Sequence, residues 1–259
     1  MTELEAFAVE LARIAADVSL PYFRTDVEED NKAAPGQFDP VTEADRAAER
    51  AMREVIEARY PDHGIIGEEY GEKNPDADQV WILDPIDGTR AFIAGLPLWT
   101  NLIGLRQSGV PVIGVVGQPY TGEIFIGGPS GARLLTRSGE KALKTRSCAL
   151  LSDALAATTD ADIFQNSDRE GWERLKKAVR LARYGCDAYA YAMLASGRID
   201  VVAESELKVW DWTALMPLVV AAGGQFSGWD GKAPTSADGR VLAVGDAALA
   251  PQALKLLNG

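Results

Sequence analysis

The chain carries one histidine and two cysteines, and each scarcity excludes some chemistry. His63 stands in Tyr60-Pro61-Asp62-His63-Gly64, a turn-like setting where a solvated loop residue is expected. Chemistry that needs several histidines, as nucleophile or as metal ligands, is excluded. A Ser-His-Asp triad would have to use His63, and no Gly-x-Ser-x-Gly elbow accompanies it. Cys148 and Cys186 lack metal-ligand spacing and read as small buried residues rather than a disulfide. No stretch reaches the ~18 apolar residues of a membrane-spanning helix, and Met1-Thr2-Glu3-Leu4-Glu5 lacks a basic signal-peptide start. The expectation is a soluble, cytoplasmic protein.

Positive charge is also short. Lys and Arg number 26 against 38 Asp and Glu, a formal net charge of −12. That balance argues against broad contact with nucleic acid or an anionic membrane. It leaves room for a small phosphorylated metabolite held by a local metal site.

What is present is enough to build a full core: 259 residues, 47% of them hydrophobic. Residues 3–18 place Leu4, Phe7, Ala8, Leu11, Ile14, Ala15 and Val18 on one helical face. Thr25 to Asp39 is polar and charge-rich, read as a mobile loop or hairpin. Thr42 then looks like a helix N-cap with Asp45 three residues on, opening an amphipathic helix to about Tyr60. From Ile65 to Leu135 short β-like runs follow: Val80–Leu83, Leu98–Leu105, Val112–Gln118 and Glu123–Ile126.

A polar, basic stretch at Thr136–Thr145 suggests two halves, 1–145 and 146–259. The second half alternates strands at Leu155–Thr159, Ile199–Ala203 and Val241–Val244 with helices near Trp172–Leu181, Ala188–Ala195, Thr213–Ala222 and Ala247–Leu257. The expected class is mixed α/β in layers.

The densest signal is Trp81-Ile82-Leu83-Asp84-Pro85-Ile86-Asp87-Gly88-Thr89. An apolar strand ends there in two carboxylates three positions apart. Pro85 disfavours helix at Asp84 and stiffens the bend. Gly88, without a Cβ, admits a ligand close to the backbone. Carboxylates and carbonyls suit a hard divalent cation, and free amides after a turn can cradle a phosphate. An acidic β-turn would read the same way in isolation. Glu68 and Glu69 follow another apolar run, Ile65-Ile66-Gly67, while Asp45 and Asp211 each open a predicted helix. Taken singly, each could be a solvated acid or a cap.

Together, Gly67-Glu68-Glu69, the 81–89 run, Trp210-Asp211 with Ala214, and Ala222-Gly223-Gly224 closely resemble the inositol monophosphatase family. The resemblance runs in order through nearly the whole chain. It implies an αβαβα sandwich, a lithium-sensitive phosphatase activity, two or three Mg²⁺ ions per active site, and a homodimer. By motif, Glu68, Asp84 and the Ile86 carbonyl should hold the first metal, and Asp84, Asp87 and Asp211 the second. Gly88 and Thr89 should meet the phosphate. Asp45 should pair with Thr89 to orient the attacking water, with Thr42 as a supporting cap and Glu69 in a supporting role beside Glu68. Lys32 is the counterpart of a mobile-loop lysine.

The chemistry agrees with those residues. Two cations about 3.5–4 Å apart can clamp the attacking and leaving oxygens of an in-line displacement. Cation-activated water needs neither a histidine nor a protein nucleophile. Direct attack of water is therefore expected, without a phosphoenzyme. The haloacid dehalogenase type would want Asp-x-Asp, whereas here the spacing is Asp84-x-x-Asp87.

Within the family, Arg90-Ala91-Phe92 stands where typical inositol phosphatases carry Thr-Asn-Phe. Together with 158–164, 183–191 and 207–211, it resembles the branch that hydrolyses L-histidinol phosphate. That substrate carries an ammonium and an imidazole, so carboxylates are wanted at its leaving-group end. Asp187 and Glu204 are the candidates, with Arg183 nearby in sequence. Asp187 could instead be a helix cap and Glu204 a solvated strand-end acid. Tyr189, Tyr191 and Trp212 could stack on an imidazole, though such aromatics more often serve the core. An inositol-1-monophosphatase would keep the metal site and change only the rim. A bisphosphate nucleotidase or fructose bisphosphatase would need basic groups beyond Lys32, Arg183 and Lys208. A non-enzymatic metal-binding protein fits poorly with the intact acidic set.

Overall fold

The computed structural model describes residues 1–26, 28–31, 40–235 and 238–259. Helix α1 (Glu3–Ser19) starts at a capping box, in which Glu5 N–H donates to the Thr2 hydroxyl and Thr2 N–H to the Glu5 carboxylate. Strands β1 (Glu29–Asn31) and β2 (Pro40–Thr42) pair antiparallel, and most of the polar segment expected as a mobile loop or hairpin lies outside the described residues. Thr42 caps α2 (Glu43–Arg59), as its spacing from Asp45 predicts.

A sheet of eight strands follows. It comprises β3 (Gly64–Gly67), β4 (Gly71–Lys73), β5 (Gln79–Asp87), then, after α3 (Thr89–Ile93), β6 (Thr100–Gln107), β7 (Val110–Gln118), β8 (Glu123–Gly127), β9 (Arg133–Thr136) and β10 (Gly139–Ala142). The basic stretch expected as a plain boundary is the β9–β10 hairpin. The second sheet starts at β11 (Leu155–Thr158). After α4 (Asn166–Ala178) come β12 (Leu181–Tyr184), α5 (Tyr189–Ala195), β13 (Val201–Glu204), α6 (Val209–Thr213), α7 (Leu215–Ala221), β14 (Gln225–Ser227), β15 (Val241–Val244) and α8 (Leu249–Asn258). Its five strands run in the order β12-β11-β13-β15-β14.

Two-residue alternation sorts the cores. Ile103, Val115 and Ile126 face α1 and α2, whereas their chain neighbours Leu102, Val116 and Phe125 face a middle layer of α5, α6 and α7. Likewise Val202 and Ala243 face the middle layer, and Val201, Leu242 and Val244 face α4 and α8. The result is the αβαβα layering. One core joins residues of both sheets, so the boundary at 145 lies between sheets that share packed side chains.

Gly104, Gly114 and Gly127 pair across β6, β7 and β8 and form a bare row on the sheet. A Cβ on Gly114 would lie 1.8 Å from the Ala214 carbonyl oxygen, and one on Gly127 2.3 Å from Leu218 Cα. The row lets α6 and α7 settle against the backbone, which brings Asp211 toward β5.

Some expectations need correction. The helix placed at Trp172–Leu181 runs Asn166–Ala178, and Leu181 opens an edge strand. The helix placed at Thr213–Ala222 is two short ones, α6 and α7. His63 is no solvated loop residue. It is half-buried, stacks on Tyr60 at 4.6 Å, and its Nδ1 accepts from Trp81 Nε1 at 3.1 Å. Among the described residues no helix is long and apolar enough to cross a membrane.

Candidate active site

Strand β5 does not end at Leu83. It continues through Asp87, with Asp84 opposite Leu102 and Asp87 opposite Thr100, so β5 advances one residue more than β6. This bulge falls at Pro85 and Ile86, where proline's missing N–H costs no ladder bond. The side chain of buried Asn101 donates to the Pro85 carbonyl and holds the bulge. The kink re-aims Asp84 and Asp87 beyond simple alternation. The chain then turns at Gly88, in the left-handed region at φ 82°, into α3.

Asp84 is 2% exposed, and its buried Oδ1 has no hydrogen-bond partner among the described residues. Its carboxyl is held well above the usual range, first by burial and then by Glu68, Asp87, Asp211 and Asp45. Half-buried Asp87 is raised by burial and by Asp187, against a 2.8 Å bond from Ala188 N–H. Asp211 opens α6 and accepts from Lys208 N–H at 2.6 Å. Sequence-predicted ligands from β5, the β3–β4 turn and α6 therefore share one electrostatic field.

An orphaned buried carboxylate oxygen among further carboxylates is what a hard cation would satisfy. The donor set is all oxygen, which suits Mg²⁺ and not a soft metal. Among the described residues no three Asp, Glu, His or Cys groups meet at ligating distance, which like-charge repulsion explains.

One expected contact differs. The Thr89 hydroxyl donates to the Ile86 carbonyl at 3.0 Å, and Asp45 Oδ2 accepts from Thr42 N–H at 2.8 Å and the Thr42 hydroxyl at 2.5 Å. No direct bond joins Thr89 to Asp45. The capping box explains this, because Asp45 meets the local partner its helix start supplies. Burial, opposed by those Thr42 bonds, raises Asp45 to about 6.

Of the expected substrate residues, Asp187 and Glu204 line one small cavity and Arg183 stands apart. Asp187 adopts φ 44°, and its carboxylate lies over Gly88, where an added Cβ would be 3.1 Å from its Oδ2. It caps no helix with its side chain. Glu204 is no solvated acid. It is 1% exposed, bonded by the Thr158 hydroxyl at 2.9 Å, Thr159 N–H at 2.8 Å and the Thr159 hydroxyl at 3.1 Å. Burial nonetheless pushes its carboxyl up to about 8. Arg183 is exposed on edge strand β12. Lys32 lies outside the described residues.

The motif reading missed Glu49. This fully buried acid accepts Glu69 N–H at 2.7 Å, Tyr70 N–H at 3.1 Å and Arg53 Nε at 2.7 Å. It thereby fastens the turn that carries Glu68. The available signal was an acid on the apolar face of α2, one turn after Asp45. Tyr191 was also underrated. Its ring packs in the core, but its buried hydroxyl has no partner among the described residues.

Residues 1–258 match the inositol monophosphatase family model. The chain belongs to the inositol monophosphatase family. It is a phosphoric monoester hydrolase of a generally metal-dependent family. A chloroplastic bifunctional phosphatase of Arabidopsis thaliana is 41% identical, with 99% of this chain and 76% of that protein covered. A histidinol-phosphatase of Chlorobaculum parvum is 33% identical over 86% of this chain and 85% of its own length. The solved inositol monophosphatase of Zymomonas mobilis superposes with TM-score 0.88 at 38% identity, covering 98% of this chain and 97% of that one.

Proposed function

We propose that this phosphatase hydrolyses L-histidinol phosphate using Mg²⁺. The observation that carries the substrate is Asp187, an extra acid laid over Gly88 beside Asp87. A neutral polyol needs no such acid, whereas an ammonium two carbons from the ester oxygen does. Likeness to a histidinol-phosphatase supports the same reading.

Glu68, Asp84, the Ile86 carbonyl, Asp87 and Asp211 would hold the cations. Bound there, Mg²⁺ supplies charge neutralisation and water activation. The backbone amides of Gly88 and Thr89 receive phosphate oxygens. Asp45, whose carboxyl burial raises to about 6, would orient a water and take its proton. Asp187 faces the alcohol half, and Glu204 lies buried behind it, held by Thr158 and Thr159. Both cysteines are unpaired, as suits a reducing cytoplasm.

The alternative is an inositol-1-monophosphatase, favoured by the structural likeness to the Zymomonas mobilis protein. Phosphate release from histidinol phosphate, inositol 1-phosphate and a nucleotide bisphosphate at saturating Mg²⁺ separates the readings. A higher kcat/KM for inositol 1-phosphate would replace histidinol phosphate with the alternative.

A further inference from the structure

The Tyr191 hydroxyl borders a small cavity that it shares with Asp87, Thr159, Asp187, Glu204 and Asp211. The cavity encloses about 20 Å³, room for one water-sized group and too little for an imidazole or a carbocycle. Of the acids that line it, Asp187 is the one that the metal set leaves over, so a cation is favoured over a neutral hydroxyl. Both Glu204 oxygens are already bonded by Thr158 and Thr159, so Glu204 leaves the contact to its neighbours. The Tyr191 oxygen is different. The side chain is 2% exposed, and its hydroxyl has no partner among the described residues. A buried, unsatisfied hydroxyl costs stability, and its retention points to a ligand atom that pairs with it.

We propose that this cavity is a subsite for the primary ammonium of an aminoalkyl phosphate, with the Tyr191 hydroxyl as a fixed acceptor and Asp187 as the counter-charge. The proposal rests on the reading that Gly88 and Asp87 border the phosphate, and it makes Tyr191 a specificity residue. A phenol oxygen can accept one ammonium N–H. Leu207 and Leu215 also line the cavity and limit water there, which strengthens both contacts.

The test compares the wild-type full chain with Tyr191→Phe at saturating Mg²⁺. The substrates are 2-aminoethyl phosphate and propyl phosphate, in which a methyl replaces the ammonium. Tyr191→Phe is expected to lose about 10-fold in kcat/KM on 2-aminoethyl phosphate and less than about twofold on propyl phosphate. Its melting temperature without substrate should equal or exceed the wild-type value, because the change removes an unpartnered hydroxyl.

Equal loss on both substrates, no loss on either, or a melting temperature lowered by several degrees overturns the subsite. A wild type that does not prefer 2-aminoethyl over propyl phosphate overturns it as well. If the wild type prefers inositol 1-phosphate to histidinol phosphate, the substrate assignment falls while the aminoethyl comparison still decides the role of Tyr191.

Discussion

The Glu49 carboxylate fills the space in which a Cβ on Gly67 would lie, 2.1 Å from its Oε1. Helix α2 thus locks the turn after β3 from below, and that turn presents Glu68. Glu49→Gln keeps one acceptor oxygen but lacks the charge that binds Arg53 and two amides. It should raise the Mg²⁺ concentration for half-maximal activity by roughly 10-fold, the scale of outer-ligand support, with kcat at saturation little changed. An Mg²⁺ titration of activity checks this, and a lower kcat at unchanged Mg²⁺ requirement would mark Glu49 as structural only. Gly67→Ala must displace the carboxylate and should cost about 1–3 kcal/mol in urea unfolding.

Asp84 separates stability from activity. Asp84→Asn removes a buried charge whose Oδ1 has no partner among the described residues, so the chelated protein should be as stable as wild type or more so. Turnover should be abolished at any Mg²⁺ concentration. Thermal melts in EDTA and phosphate-release assays measure the two halves. Activity that survives both EDTA and Asp84→Asn contradicts the metal-dependent reading.

Glu204 makes a prediction about pH. Its ordinary value is 4.5 and burial raises it to about 8, so the folded state binds this proton more tightly than the unfolded state. Its stabilising contribution is complete below about pH 4.5 and is lost as pH rises through about 8. In EDTA the melting temperature should fall across that window. The fall should be shallower in Glu204→Gln, because the amide does not titrate. An unchanged slope would mean that Thr158 and Thr159 compensate the charge fully.

Asp187 tests the substrate class. Loss of a charge-assisted contact to an ammonium is worth roughly 1.5–3 kcal/mol. Asp187→Asn should therefore lower kcat/KM for histidinol phosphate about 10- to 150-fold, yet change glycerol phosphate much less. Steady-state kinetics at saturating Mg²⁺ check the ratio. Equal losses on both esters would make Asp187 a structural residue of the Gly88 turn.

Much of the site was legible because its residues lie in short contiguous runs. The 81–89 segment, Gly67-Glu68-Glu69 and Trp210-Asp211 each carry their own local geometry, and the helix at Thr42–Asp45 follows from a capping box alone. The same locality limited the reading. Asp45 was expected against Thr89, yet the cap that made it visible also supplies its hydrogen-bond partner. For Glu204 the sequence leaves a substrate contact and a solvated strand-end acid both open, since its burial depends on Thr158 and Thr159, which lie far away in sequence.

The sequence by itself determined the helix and strand periods, the acidic donor set and the family, all of which rest on spacing along one chain. Only the tertiary structure decided which acids are orphaned and which are satisfied. The Gly104–Gly114–Gly127 row and the Asp84–Asp87 bulge bring α6 to β5. Glu49, Asp187 and Tyr191 gain their meaning from neighbours 18 to 104 residues away in sequence. Burial and like-charge proximity are properties of packed layers, and no local pattern encodes them.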